Sequence, residues 1–287
     1  MPYNELRKDY LLNRWAVIAT ERSKRPTDFA KPKLQTAANK VCPMCVGNEQ
    51  MTPPAVMLYV KEEGKVKVTS DPQTGARPQN WLVRCIPNLY PAFSPPKQPQ
   101  DAAQFFINPA LANAVGHHEV IIESPNHDED PADAELCQLE LVVKAYVDRL
   151  KELSDKPYVR YVSIFRNHGI DAGASLSHTH SQIIATPIVP PLIQAELDAS
   201  KNFHLQKERC IFCDVIERET KSPRLIMENK EFAVIAPYAS IHPMEFWILP
   251  KNHALNPIKI TSAQKTALAQ TLKTSLSALK EVVNDPS

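Results

Sequence analysis

The sequence predicts an α+β fold in which two tandem units, built mainly from antiparallel strands with helices packed on one face, repeat a single plan. Three observations predict it. C-x-x-C pairs occur twice, at Cys42/Cys45 and Cys210/Cys213. The segments HHEVIIESPNH (117–127) and PMEFWILPKNH (243–253) both run from Glu through alternating apolar residues to Asn-His. Each segment then gives way to an apolar stripe of helical period, and a switch from period 2 to period 3.6 marks a strand followed by a helix.

In chain order, the first unit opens on Cys42 and Cys45 and continues through strands interrupted by the Pro-rich loop PNLYPAFSPPKQPQ (87–100). The strand ending at Asn126-His127 follows. The stripe Leu136, Leu139, Val143, Val147 and Leu150 then predicts a helix over 133–153, with Asp133 as its N-cap. YVRYVSIF (158–165) reads as a further strand. Prolines punctuate TPIVPPLIQAELDASKNF (186–203), which places the boundary there and gives domains 1–190 and 191–287. The second unit repeats the order from Cys210 and Cys213 to His253. Its helix carries Leu268, Leu272, Leu276, Leu279 and Val283, and Ser262 is placed to cap it. The sequence ends in NDPS where a last strand is expected to begin, so the second copy reads as incomplete at its C-terminus.

Composition narrows the functional classes. A formal net charge of +1 gives no electrostatic footprint for nucleic acid or an anionic membrane. No apolar run reaches the roughly 20 residues of a membrane span, and MPYNELRKDY has no signal-peptide core, so a cytoplasmic location is expected. Pro numbers 26 and Gly only 6, which excludes a Gly-rich phosphate cradle. Phosphate must instead be met by side chains and a few amides.

Paired C-x-x-C units in a reducing compartment point to metal ligands or redox dithiols rather than structural disulfides. Structural zinc takes four Cys or His ligands, commonly begun by a C-x-x-C knuckle. The first unit offers Cys42, Cys45, His127 and His178; the second offers Cys210, Cys213 and His253. A thioredoxin-like dithiol, with C-x-x-C opening a helix, is the alternative, but no βαβ pattern surrounds the first pair. Cys85 and Cys137 read as small buried apolar residues. His117, His118, His168, His204 and His242 read as loop or surface residues, with His168 close enough to the active loop to stay open.

FRNHGIDAGASLSHTHSQIIATP (165–187) is the most informative stretch. Alternation along a strand puts His178, His180 and Gln182 on one face. A metal-bound His178 would hold the edge of that face and leave His180 free beside it. A neutral imidazole is a competent nucleophile toward phosphorus near neutral pH. Gln182 can donate to a non-bridging phosphoryl oxygen, and Gly173 and Ser175 offer an amide and a hydroxyl to the same group. His180 as a second metal ligand or a passive strand residue is the competing reading.

The order C-x-x-C, S-P-N-H and N-x-G-x-x-x-G-x-S-x-x-H-x-H-x-Q resembles the galactose-1-phosphate uridylyltransferase family, a branch of the histidine-triad superfamily. The resemblance implies two histidine-triad-like domains and a ping-pong nucleotidyl transfer through a covalent nucleotidyl-histidine at His180. It implies zinc on Cys42, Cys45, His127 and His178. Around the nucleotide it implies Arg22 and Arg25 of ERSKRP, Asn88 of RCIPNLYP, and Asn167, Gly173, Ser175 and Gln182. Substrates would be a nucleotide sugar and a sugar 1-phosphate, or phosphate, and the functional unit a homodimer. Cys210, Cys213 and His253 look like the branch with two zinc knuckles, which includes ADP-glucose phosphorylases. UDP-glucose:galactose-1-phosphate uridylyl transfer is the expected reaction, with an adenylyl phosphorylase as the alternative. A histidine-triad hydrolase would use the same His180, and a non-catalytic zinc scaffold would leave Asn167, His180 and Gln182 unexplained.

Overall fold

A computed structural model describes residues 5–18, 41–98, 106–108, 111–169, 171–174, 176–253 and 257–283. They fall into two compact units, a central one within Lys33–Val189 and a terminal one drawn from Met1–Pro32 and Pro190–Asp285. The N-terminal hairpin of β1 (Glu5–Lys8) and β2 (Trp15–Ile18) therefore groups with the C-terminal segment, an arrangement that a division at residue 190 does not anticipate. Side chains show why: Arg7 donates to the Tyr238 carbonyl at 3.2 Å and lies over the Tyr238 ring, while Tyr10 bonds the Glu219 carboxylate.

The central unit is a six-stranded antiparallel sheet. Its strands are β3 (Met57–Glu62), β4 (Lys65–Thr69), β5 (Trp81–Pro87), β8 (His117–Ile122), β9 (Tyr161–Phe165) and β10 (His180–Thr186). Their order across the sheet is β4-β3-β5-β8-β10-β9. The short β6 (Phe106–Asn108) and β7 (Leu111–Ala112) pair separately. Glu63 and Gly64 both take positive φ in the two-residue link between β3 and β4, the geometry that matches strand twist in a tight hairpin.

One face of this sheet is covered by helix α1 (Leu136–Ser154). Tyr59, Val83, Cys85, Ile121, Ile183 and Ala185 meet Val142, Ala145 and Leu153 of the helix in one apolar cluster. Burying each such side chain stabilises by roughly 1.5–3 kcal/mol. Buried in the same layer, Arg149 donates to Glu119 at 2.8 Å, and the Cys85 thiol donates to the same carboxylate at 3.1 Å. The opposite face carries Leu58, Val60, Trp81, Ile86, Val120 and Ile122 against Met44 and Ala55, beside Cys42 and Leu176. The site develops on this second face.

In the terminal unit, α2 (Pro191–Lys207) begins with Pro at its first turn and buries no residue. Next come α3 (Ile211–Glu219), an antiparallel sheet of β11 (Leu225–Glu228), β12 (Phe232–Ile235) and β13 (Trp247–Pro250), and α4 (Ser262–Val283).

Several local expectations are corrected. Helix α1 starts at Leu136 with Glu135 in the cap position, so Asp133 lies in the preceding turn. Ser262 is already inside α4; Thr261 forms the capping box, its hydroxyl accepting from the Gln264 amide while Gln264 Oε1 accepts from the Thr261 amide. The α4 leucines are half-buried, and its buried positions are Ala269, Thr271, Ser275 and Val283. Asn229 reaches Thr271 at 2.8 Å, which gives that polar position a partner. Cys85 is buried as expected, but Cys137 is exposed, because it sits on the face of α1 turned away from the sheet.

Candidate active site and metal centre

The knuckle Cys42–Cys45 is a tight turn, closed by the Cys45 amide donating to the Cys42 carbonyl, and it faces the end of β8 and the approach to β10. Here Cys45 Sγ lies 3.3 Å from His127 Nδ1 and 3.6 Å from His178 Nδ1, and Cys42 Sγ lies 3.7 Å from His178 Nδ1. A tetrahedral ion with Zn–S near 2.3 Å and Zn–N near 2.0–2.1 Å requires S···N edges of about 3.5 Å. These three edges, which link all four donors, match that requirement. The far nitrogens are also engaged: His178 Nε2–H donates to the Ser124 carbonyl at 2.8 Å, and His127 Nε2 meets Ser177 Oγ at 2.9 Å. Those bonds direct both Nδ1 atoms toward the cysteines, as ligand imidazoles require.

Burial shifts two members of this cluster. It lowers His178 from its ordinary 6.5 and pushes the Cys45 thiol up to about 11, with Cys42 adding to the rise. A bound divalent cation reverses the thiol's preference, since the ligand form is the thiolate. A second group, Cys210, Cys213 and His253, also brings its ligand atoms within 4.8 Å of one another, with Cys213 Sγ 3.5 Å from His253 Nδ1. Its members are more exposed than those of the first.

From His178 the chain enters β10. His180 is its first residue and is 8 % exposed. His180 Nδ1 lies 2.8 Å from the His178 carbonyl, which can only accept, so Nδ1 carries the proton and Nε2 carries the lone pair. The ring is therefore neither turned into the α1 layer nor part of either ligand group.

The flanking residues Thr179 and Ser181 point to the other face and are both held by Glu123. Thr179 donates to it at 3.1 Å, and Ser181 and Tyr146 donate to its other oxygen. Arg166 stands 3.8 Å from Glu123 and donates to Asp130 at 2.8 Å. Burial, then Glu123, hold the Tyr146 hydroxyl well above its ordinary range, so it stays a donor.

Two positions beyond His180 on the same face, Gln182 accepts from His118 Nε2 at 2.8 Å. His118 also receives the Ala92 amide on Nδ1 at 3.0 Å, and the Asn88 side-chain nitrogen stands 3.1 Å from its Nε2. His118 is thus a strand residue beside the site, against the expectation of a loop or surface position; its neighbour His117 is also in β8, 2.8 Å from the Tyr158 hydroxyl. Asn167 lies next to Gly173: a Cβ built on that glycine would sit 3.8 Å from the Asn167 amide nitrogen, and Gly173 takes φ +85. His168 is exposed and 3.5 Å from Asp130. Arg22, Arg25 and Ser175 lie outside the described residues.

Sequence reasoning missed His118, Glu123 and Arg166. Strand alternation carried a signal for the first, because His118, Val120 and Ile122 share a face that β10 pairs with. Glu123 and Arg166 carried none, since their partners come from α1, from Ser181 of β10 and from the loops on either side.

Comparison with known proteins finds relatives that cover most of the chain. A model of the galactose-1-phosphate uridyl transferase N-terminal domain matches residues 83–190, which run from within β5 through β8, α1 and β9 to just past the end of β10. An ADP-glucose phosphorylase from Arabidopsis thaliana is 33 % identical, over 98 % of this chain and 76 % of its own length. A galactose-1-phosphate uridylyltransferase from Thermotoga maritima is 28 % identical, over 94 % of this chain and 73 % of its own. The crystal structure of the Arabidopsis ADP-glucose phosphorylase with bound ADP-glucose superposes with a TM-score of 0.79 at 31 % identity, over 99 % of this chain and 80 % of that one.

The fold and the site together define a nucleotidyltransferase with two Cys/His groups able to hold a metal. The chain belongs to the galactose-1-phosphate uridylyltransferase family. Among the described residues, no helix is long and apolar enough to cross a membrane.

Proposed function

We propose that the chain transfers a nucleotidyl group from a nucleoside diphosphate sugar to a phosphate-bearing acceptor through a covalent nucleotidyl-histidine at His180. The observation that carries this is the bond between His180 Nδ1 and the His178 carbonyl, which leaves the Nε2 lone pair for attack. Nε2 forms a bond to the α-phosphorus, the bond from that phosphorus to the bridging oxygen breaks, and sugar 1-phosphate departs with the electron pair. An oxygen of the acceptor phosphate then attacks the same phosphorus and the P–N bond breaks, returning the lone pair to Nε2. The Gln182 amide, Asn167 and the loop amides around Gly173 are the groups available to steady charge on the non-bridging oxygens. Arg22, Arg25, Asn88 and Ser175 are carried over from the family resemblance as nucleotide-binding residues.

Zinc on Cys42, Cys45, His127 and His178 is part of the same reading. A four-ligand Cys/His set is closed, and the ion's contribution is to fix the residues that precede His180. Cys210, Cys213 and His253 are proposed as a second zinc site. In both places a C-x-x-C pair, from a turn at Cys42–Cys45 and from the start of α3 at Cys210–Cys213, meets a histidine Nδ1 beyond the end of a strand, with an α-helix following in sequence (β8 then α1, β13 then α4), which supports two histidine-triad-like domains in tandem. Thiols serving as ligands favour a reducing, cytoplasmic location. A homodimer is carried over from the family resemblance.

The greater identity to the ADP-glucose phosphorylase supports ADP-glucose as donor and inorganic phosphate as acceptor, giving ADP and glucose 1-phosphate. The second reading is UDP-glucose with galactose 1-phosphate, supported by the uridylyltransferase relatives. Product analysis separates the two. ADP formed from ADP-glucose and phosphate, with no exchange between UDP-glucose and galactose 1-phosphate, is the expected result; the reverse pattern installs the second reading. Release of free mononucleotide at the full rate without any acceptor would replace both with a hydrolase.

A further inference from the structure

We infer that His118 is a positioning residue that sets the orientation of the Gln182 amide and so links the Asn88–Ala92 loop to the phosphoryl group. The inference rests on the reading of His180 as nucleophile. It follows from counting donors and acceptors around one ring. The Ala92 backbone N–H can only donate, and it reaches His118 Nδ1 at 3.0 Å, so Nδ1 is the unprotonated nitrogen. The ring proton then sits on Nε2, which faces Gln182 Oε1 at 2.8 Å and donates to it.

A side-chain amide has one oxygen and one nitrogen. With Oε1 committed to His118, the Gln182 NH2 is turned away from His118, as two donors. Gln182 lies two residues beyond His180 on the same face of β10, so those donors belong to the surface where the α-phosphoryl group is to sit. Without His118, nothing in this set tells the Gln182 oxygen from its nitrogen.

The same logic orders Asn88. Its Oδ1 accepts from the Tyr90 amide at 2.9 Å, which directs its nitrogen toward His118 Nε2 at 3.1 Å. Both atoms carry protons, so no hydrogen bond joins them, and the Asn88 NH2 keeps its donors for another acceptor. A nucleotide oxygen would satisfy them. One imidazole thereby reads the loop through Nδ1 and transmits its placement through Nε2, at diagonal positions on neighbouring strands: His118 is opposite Ile184, and Gln182 opposite Val120.

The test is the single-turnover rate of nucleotidyl-enzyme formation from α-labelled ADP-glucose and UDP-glucose, in the full chain. Gln182→Ala, which removes the donor, is expected to slow the step about 100-fold. His118→Phe should slow it about tenfold while changing donor affinity less than about twofold, because orientation rather than binding is lost. In His118→Gln the new amide nitrogen reaches the place of Nε2 and recovers most of the rate; His118→Asn is too short and behaves like the Phe variant. His118→Phe should add no further loss to Gln182→Ala, since both remove one function.

Equal rates in the Gln and Asn variants, or losses that multiply in the double variant, overturn the assignment. Should His118→Phe fail to fold, the Gln/Asn comparison decides alone. A wild-type chain that takes no label from either donor removes the nucleophile reading and this one with it. A labelled wild type with His118 variants at the wild-type rate removes only the positioning role.

Discussion

His180 Nδ1 sits 2.8 Å from the carbonyl oxygen of His178, so the residue that contributes a ring to the Cys/His group also fixes the tautomer of its neighbour. One short peptide segment carries both a member of the Cys/His group and the proposed nucleophile. A disturbance of Cys42, Cys45 or His127 should therefore reach His180 through the backbone.

That dependence gives the first prediction. Cys42→Ser is expected to lower bound zinc by one equivalent per chain and to destabilise by about 3 kcal/mol or more, as losing a structural metal does. Metal analysis and thermal unfolding measure both. Unchanged zinc content would remove Cys42 from the ligand set.

The pH dependence follows from burial of His178, which holds its folded pKa below the ordinary 6.5. An unfolded chain takes up that proton as pH falls through about 6.5, while the folded chain does not until a lower pH. Between those values the unfolded state binds more protons, so stability rises with pH there and is lost as pH drops. Metal on Nδ1 widens the window. Zinc retention against a competing chelator should fall as pH drops from 8, because the thiolate ligands take up protons, and more steeply below about 6.5, where histidine protonation adds to it. Retention that is flat down to pH 5 would contradict the ligand assignment.

Glu123 accepts from Thr179, Ser181 and Tyr146 and faces Arg166. Glu123→Gln keeps the volume but offers one acceptor oxygen and no charge. A cost of about 2–3 kcal/mol is expected from the broken buried network, together with a fall in the rate of nucleotidyl transfer as residues 179–181 loosen. Urea unfolding and the transfer rate test this; a neutral effect on both would reduce the network to space filling.

Much of this molecule was legible before its coordinates. Alternation placed β8, β9 and β13, and the knuckles with Asn-His endings identified both Cys/His groups, because such signals are local and periodic. Helix faces were harder. In α4 the leucines suggested the buried stripe, yet Thr271 and Ser275 take the buried positions, because Asn229 and Met227 meet them there. His118 looked like an unremarkable loop histidine because its meaning depends on Ala92 and Gln182, distant in sequence and brought to it by the pairing of β8 with β5 and with β10. Glu123 was hidden for the same reason.

Close packing of those two strands gives a further prediction. A Cβ at Gly116 would stand 2.1 Å from the Ala185 carbonyl oxygen, a backbone atom that cannot swing aside. Gly116→Ala must separate β8 from β10 and should cost about 3 kcal/mol. Urea denaturation measures it, and a cost under about 0.5 kcal/mol would mean the strands relax freely.

The central claim is a phosphorus–nitrogen bond at His180. The direct measurement is to mix the chain with α-labelled ADP-glucose, quench in alkali, digest, and locate the label by mass. The account predicts one mononucleotidyl group on His180, absent in His180→Gly while zinc content stays unchanged. Label on another residue, or label that persists in His180→Gly, would contradict it.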